Sequence, residues 1–473
     1  MSRPHIVLIT ADQLRKDALG WYGCEAIQTP NLDRLATTGD RYDRAYAVSP
    51  WCMPSRSSIV TGQYPHVHRA YSNFRDNRLD PDRPNLYTLV RDQGYTTAHI
   101  GKCHFAPVPY GQTRPDRTLP YEAFRAYYES LGINHLVLQD DKQVSVWFSD
   151  DYSQDLEAVG YLEAYRAAVW NRDYRKVFPF PAPAEWHPDA WVGRRAAEYI
   201  EAHDAAEPLF MWLSFSGPHF PFDAPDACLD RVDASRVGEG TWVEGEFDSP
   251  DRIHHASYHG PGGIEGAGAT GGEGTSAYGA DYWRELRMRY FANVALIDDE
   301  VGRVLDAIER RLGENVLVIF TADHGEMLGN HRLWGKHNCG YEDVLNVPLL
   351  VRHPGQRNGT SIETRVMLTD VLPTCLAVAG TAFPAASGRP LEQGRGHDGY
   401  RYTIAEGEGF LAISDGRAKY IVATRDGARY REAFDLVVDP GESRNVIDDP
   451  GCATAVSALR QAAEDLMLDA LLP

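Results

Sequence analysis

Five short apolar runs, rich in β-branched residues, interrupt a chain that otherwise shows helical spacing and polar turns. They are HIVLIT (5–10), TTAHI (96–100), PLFMWLSFS (208–216), NVLVIFTA (315–322) and VPLLVRH (347–353). The second, third and fourth each follow a segment compatible with an amphipathic helix: NLYTLVRDQG, RRAAEYIEAH and VALIDDEVGRVLDAIERRLG. Near-continuous apolar strands alternating with helices predict an α/β fold, a large mostly parallel sheet sandwiched by helices. In such sheets ligands gather beyond the carboxyl ends of the strands. Asp12, Lys102, His104, His219, Asp323 and His324 all fall just past those ends.

Two segments break the alternation. Residues 105–190 are rich in Tyr and Trp without a clear period, and are expected to form loops and helices over the rim of a site. A second insertion, about 223–283, contains a glycine-rich stretch at 258–280 that reads as a linker or surface loop. The pattern changes again near 383–395, at PAASGRPLEQGRG. Beyond it GFLAISD, AKYIVATRD and EAFDLVV alternate as antiparallel strands do, and a last helix follows. The expected division is a catalytic domain over 1–383 and a small C-terminal α+β subdomain, an antiparallel sheet plus a helix, over 384–473.

Composition narrows the function. The 473 residues carry a formal net charge of −20, which disfavours nucleic acid or an anionic membrane as partner. It also weighs against long polyanionic substrates, unless one local basic pocket overrides the global field. No apolar stretch is long enough to span a membrane. The seven cysteines are scattered, with no Cys-x-x-Cys pair, which suits a reducing cytoplasm better than secretion.

Asp12 with Gln13 and Asp323 with His324 place oxygen ligands and one imidazole at two strand ends. That set suits calcium, magnesium or manganese better than a thiolate-bound zinc. Arg56, Lys102 and Lys336 could surround such a cation and cradle a tetrahedral oxyanion ester. His104 and His219 are then the candidates for proton transfer. The stretch WCMPSRSSIVTG (51–62) sets Cys52 beside hydroxyls, a proline and a cation rather than among apolar residues. Taken alone it reads as a helix-entry loop with Ser55 or Ser57 as N-cap.

In context, Cys-x-Pro-Ser-Arg followed by Thr-Gly resembles the signature of the formylglycine-dependent sulfatases, members of the alkaline phosphatase superfamily. Supporting segments occur in the family's order: ADQ, TPNLDRLATTGDRYDRAY, GYTTAHIGKCH, GPHFPF, TADHGEMLG and WGKHNCGYE, with FDLVVDPGESRNV in the tail. The resemblance implies an alkaline phosphatase-like fold and a sulfatase acting on a small sulfate ester. It implies that a formylglycine-generating enzyme converts Cys52 to Cα-formylglycine, whose hydrate is the nucleophile. It places one divalent metal, with calcium ahead of manganese or magnesium, on Asp12, Gln13, Asp323 and His324. Arg56 would hold the hydrate, Lys102 and Lys336 would bind sulfate oxygens, and His219 would protonate the leaving alkoxide. His104 would take a hydroxyl proton in the second step, and Asn73 would touch substrate.

The Asp-Gln and Asp-His pairs also resemble the choline sulfatase and phosphonate monoester hydrolase branches. In the phosphonate branch the Lys-x-His after the third strand gives way to uncharged hydroxyl residues, so Lys102 and His104 favour sulfate esters. The rival readings are a phosphonate monoester hydrolase or phosphodiesterase, and an anion-binding pseudoenzyme with an unmodified Cys52. For the alcohol half, the aromatic residues of 121–190 could stack on an aryl ring, a sugar or a quaternary ammonium. Assembly into a homo-oligomer is left open.

Overall fold

The computed structural model describes residues 3–74, 77–108, 112, 116–171, 177–260, 274–336, 338–425 and 427–471. The first nine strands are β1 (His5–Asp12), β2 (Asp40–Tyr46), β3 (Thr96–Gly101), β4 (His135–Leu138), β5 (Leu209–Pro218), β6 (Val316–Ala322), β7 (Asn346–Arg352), β8 (Ser361–Ile362) and β9 (Val366–Met367). They form one sheet in the order β4-β3-β5-β1-β6-β7-β2-β8, with β9 also pairing β2. The five strands from β4 to β6 run parallel, and β7 runs against both its neighbours. Every residue of β1, β5 and β6 is buried, which is why their sequences read as unbroken apolar runs.

Long helices Pro188–Ala202 and Ala280–Arg311 pack on one another and on the sheet. A second group, Cys52–Thr61, Leu86–Arg91 and Val371–Ala379, packs together beside β3. The mostly parallel, helix-covered sheet is the expected α/β architecture. Two of its strands lie where the apolar pattern gave no signal. β2, DRYDRAY, carries four charged residues, and only four of its seven positions are buried. β4 is four residues long and lies inside the aromatic insertion. Residues 105–190 therefore supply the sheet's edge strand as well as loops and helices. The glycine-rich stretch at 258–280 falls largely outside the described residues.

Strands β10 (Thr403–Gly407), β11 (Phe410–Ser414), β12 (Ala418–Arg425) and β13 (Ala428–Asp435) form a separate antiparallel sheet in that order. One face packs on the last helix, Ala453–Leu471, through Ile413, Tyr420, Leu459 and Ala463. The other face, with Phe410, Ile421 and Phe434, packs on Met327, Cys339 and Tyr341. A Cβ at Gly340 would stand 2.6 Å from the Ile421 side chain, so the loop following Lys336 must carry glycine to lie this close. The C-terminal sheet thereby buttresses the loop that carries Lys336. Among the described residues no helix is long and apolar enough to cross a membrane.

Candidate active site

Parallel strands end on the same side of a sheet, so residues far apart in sequence converge there. Following the strand order, Asp140 and Asp141 come after β4, Lys102 and His104 after β3, and His219 after β5. Asp12 closes β1, Gln13 follows it, and Asp323 and His324 follow β6. Into this row points the N-terminus of helix Cys52–Thr61, whose first residue is Cys52.

Ser55 and Ser57 lie inside that helix and do not cap it. Pro54 is tolerated because first-turn N–H groups have no partner within the helix. The capping role falls to Asn73, whose Oδ1 accepts from the Met53 N–H at 3.0 Å. That bond fixes the entry to the helix, so the side chain expected to touch substrate also holds the backbone next to Cys52.

Cys52 Sγ lies 3.2 Å from His324 Nε2, 3.0 Å from Lys336 Nζ and 3.7 Å from Asp12 Oδ1. One ligand atom from each of Asp12, Cys52, Asp323 and His324 falls within 4.8 Å of the others, all four residues buried. Arg56, one helical turn after Cys52, lies beneath this cluster with no exposed surface. Its Nε donates to Asp323 Oδ2 at 2.9 Å and its Nη2 to Asp12 Oδ2 at 3.3 Å. Its Nη1 donates to the Lys102 carbonyl at 2.9 Å and to Ser214 Oγ at 2.7 Å. The guanidinium thus clamps the two carboxylates; holding a hydrate on residue 52 is not the contact it makes here.

Asp12 is held by one oxygen and presents the other, whereas both oxygens of Asp323 are engaged. Asp12 Oδ2 meets Lys102 Nζ at 2.7 Å as well as Arg56, which leaves Oδ1 toward Cys52. Asp323 Oδ1 accepts the backbone N–H groups of Gln13 and His324 at 3.1 and 3.0 Å. Gln13 takes a left-handed conformation (φ 64°) that turns its side chain back into the site. Its Nε2 donates to Glu326, so Oε1 faces inward, where Lys336 Nζ donates to it at 2.7 Å. His324 Nδ1 is bonded to the Gly325 carbonyl at 2.9 Å, which leaves Nε2 toward the cluster.

Charge follows from these contacts. Burial opposes ionisation of Asp12, but Lys102, His219, Lys336 and Arg56 outweigh it and hold the carboxyl well below the usual range. Burial likewise opposes the charge on Lys102, and Asp12 and Asp141 overcome it. Burial, then Lys336 and Lys102, push His219 well below an ordinary imidazole. Burial and Lys102 bring His104 down to about 4. His324 goes the other way: burial and Lys336 disfavour its proton, yet Asp323 and Cys52 raise it above the ordinary value. Carboxylate oxygens, an inward amide oxygen and the Nε2 of His324, at a point where Asp323 and Cys52 favour positive charge, form a donor set fit for a divalent cation that takes the place of the imidazole's proton.

Sequence reading missed three side chains that act through others. Asp141 meets Lys102 Nζ at 2.5 Å and lies 4.0 Å from His219 Nδ1. Asp140 accepts the backbone N–H groups of Cys103 and His104, at 2.8 and 2.9 Å. Both follow β4, whose shortness hid them. Glu326, in the segment TADHGEMLG, sets the rotation of the Gln13 amide and also accepts from the N–H groups of Leu328 and Gly335. Glu326→Gln is expected to lower divalent-cation affinity by about tenfold to hundredfold, as loss of a ligand-orienting partner does. Titration of the metal-stripped protein reads this directly, and unchanged affinity would remove Gln13 from the ligand set.

Residues 4–381 match the family model described as "Sulfatase", four-fifths of the chain. The chain belongs to the sulfatase family. Residues 329–469 further match the model of the N-sulphoglucosamine sulphohydrolase C-terminal region. Among curated relatives, an uncharacterised sulfatase of Escherichia coli, YidJ, is 28% identical over 99% of this chain and 88% of its own. An arylsulfatase of Clostridium perfringens is 26% identical, over 97% and 93%. A choline-sulfatase of Rhizobium meliloti is 25% identical, over 95% and 83%. In fold, the phosphonate monoester hydrolase of Silicibacter pomeroyi superposes with a TM-score of 0.78 at 23% identity, over 99% of this chain and 95% of that one. This sulfatase is accordingly a hydrolase of sulfuric esters.

Proposed function

We propose that this sulfatase hydrolyses a small sulfate monoester with residue 52, as Cα-formylglycine, for its nucleophile. The observation that carries the reading is the placement of Cys52. Its side chain lies between Lys336 and the Asp12, Asp323 and His324 donors, at the end of the sheet where four strands converge. A hydrated formylglycine would supply there an oxygen nucleophile, which a thiol lacks. A divalent cation on Asp12, Gln13, Asp323 and His324 would supply Lewis-acid stabilisation. Calcium suits the oxygen-rich set, with manganese and magnesium as the other candidates.

The chain's own groups do the rest. Lys336, 3.0 Å from the residue-52 side chain, and Lys102 offer ammonium groups to sulfate oxygens. An anion bound between them offsets the positive charge that keeps His219 neutral, so its ring gains the proton that it passes to the departing alkoxide. His219 Nδ1 is tied to the Phe220 carbonyl at 2.7 Å, which leaves Nε2 for that transfer. His104 is held neutral, and its buried Nδ1 has no partner among the described residues, as a waiting proton acceptor requires. The retention of Lys102 and His104 favours sulfate over phosphonate esters. Residues 1–383 make up the catalytic unit in this reading, and 384–473 a subdomain that supports it.

Cys52 is only 1% exposed, so a formylglycine-generating enzyme must reach it before the chain folds. Mass analysis of the residue-52 peptide tests the reading. An aldehyde in place of the thiol, in a preparation that cleaves sulfate esters, is the expected result. Full turnover with an intact thiol would refute it.

The alcohol half meets different aromatic groups from those expected. Tyr121, Tyr128, Tyr152 and Tyr165 are buried, and their hydroxyls bond to Asp140, the Trp186 carbonyl and Asp223. They are core and cannot stack on a ligand. Beside the nucleophile, Trp51 donates to Asn338 at 2.8 Å, and Phe74, 53% exposed, stands edge-on to it with centroids 5.4 Å apart. Phe74→Ala is expected to raise KM for an aryl sulfate severalfold, in line with about 0.5–1.5 kcal/mol for a ring contact. KM for a short alkyl sulfate should stay put. Equal shifts for both esters would remove this pair from the leaving-group site.

A further inference from the structure

Next to the active-site mouth lies a cavity of about 1040 Å³, between the Pro65–His68 helix with its following loop, the end of the C-terminal sheet, and the last helix. Its inner wall is the active-site rim itself. The Glu408 N–H donates to the Tyr71 carbonyl at 3.1 Å, and a Cβ on Gly407 would stand 3.4 Å from the Trp51 ring. Trp51 is the residue before the nucleophile, so this cavity begins where the leaving group would emerge.

Besides Arg460 on the last helix, three arginines line the cavity from two elements: Arg69 after the short helix, and Arg429 and Arg431 on β13. Among the described residues no carboxylate lies within 4.0 Å of any of the three guanidinium groups. Three carboxylates also line it, Glu406, Glu408 and Glu464, and all three are engaged, Glu408 through a partner of its own. Glu406 is bonded to the ring and backbone of His66, at 2.7 and 2.9 Å, and Glu464 pairs with Arg460 at 3.2 Å. Arg69 holds a left-handed backbone (φ 69°) that L side chains rarely adopt. In a chain of net charge −20, these three arginines gather around a single cavity. Guanidinium forks match carboxylate and sulfate oxygens in geometry as well as in charge.

We propose that this cavity is a subsite for a second anionic group on the substrate's alcohol half. The substrate class is a small sulfated saccharide that carries a carboxylate or another sulfate beyond the scissile group. The proposal rests on the sulfate-ester reading of the adjoining site. It is the local basic pocket that would override the chain's global negative field.

The test is equilibrium binding to the Cys52→Ala protein, which cannot turn substrate over. The probes are two sulfated disaccharides that differ only in the second sugar, a hexuronate in one and the matching neutral hexose in the other. The hexuronate is expected to bind at least about tenfold more tightly at low salt, with the preference shrinking in molar salt as screening predicts. Adding Arg429→Gln and Arg431→Gln should erase the preference and leave the neutral disaccharide's affinity unchanged. Charge reversal by Arg431→Glu should invert it. Equal affinity of the two probes, or a preference that survives both glutamine substitutions, would overturn the subsite. Failure of the sulfatase reading would show separately, as no cleavage of either probe by protein with formylglycine at residue 52 while the binding preference persists.

Discussion

Cys52→Ala is expected to fold, to melt within a few degrees of the parent, and to cleave aryl sulfates about 10⁴-fold more slowly or worse. The small stability effect follows from the site. Cys52 is the first residue of its helix, and its sulfur touches polar groups rather than apolar packing, so removing it leaves little cavity. The large kinetic effect follows from removal of the nucleophile, which costs far more than any one binding contact. Cys52→Ser is the sharper control. It restores a single hydroxyl at the same position without the second hydroxyl of a hydrated aldehyde, and should remain nearly as slow. Near-parental turnover by either variant would mean that residue 52 is not the nucleophile.

Arg56→Met should cost about 3–5 kcal/mol of stability, the range for breaking a buried ion pair by removing one partner. Arg56 has no exposed surface and bonds to both Asp12 and Asp323, so its loss leaves two buried carboxylates facing each other. Those carboxylates are also proposed metal ligands, which gives the prediction a second part. Excess divalent cation should recover a measurable share of the lost melting temperature in Arg56→Met, and a larger share than it adds to the parent, by linkage of binding to folding. Arg56→Lys keeps the charge but cannot reach Asp12, Asp323, Ser214 and the Lys102 carbonyl from one planar group, and should fall between the two. Parent-like stability of the methionine variant would contradict the clamp.

The sequence announced the strands whose two faces are both covered. β1, β5 and β6 are buried at every position, and burial on both faces is what produces an uninterrupted apolar run. β2 lies near an edge of the sheet and β4 at its edge, so the one is charged and the other short, and neither stood out. The converging row of Asp12, Lys102, His219 and Asp323 was legible because each directly ends or follows a recognisable strand. Asp141 and Glu326 were not, since they act only through Lys102 and Gln13, and a partner's partner leaves no mark on spacing. The aromatic insertion was open to two readings, ligand stacking or local core, because composition cannot distinguish a ring facing a ligand from one whose hydroxyl is tied to a buried Asp140 or Asp223. Asn73, expected to touch substrate, also accepts the Met53 N–H, a capping contact that spacing alone does not reveal.

The most direct test of the account is kcat/KM for 4-nitrophenyl sulfate against 4-nitrophenyl phenylphosphonate, using protein whose residue 52 has been verified as formylglycine. Lys102 and His104, which follow β3, predict that the sulfate leads by orders of magnitude. A lead for the phosphonate would contradict the sulfate-ester assignment and make the protein a phosphonate monoester hydrolase built on the same site.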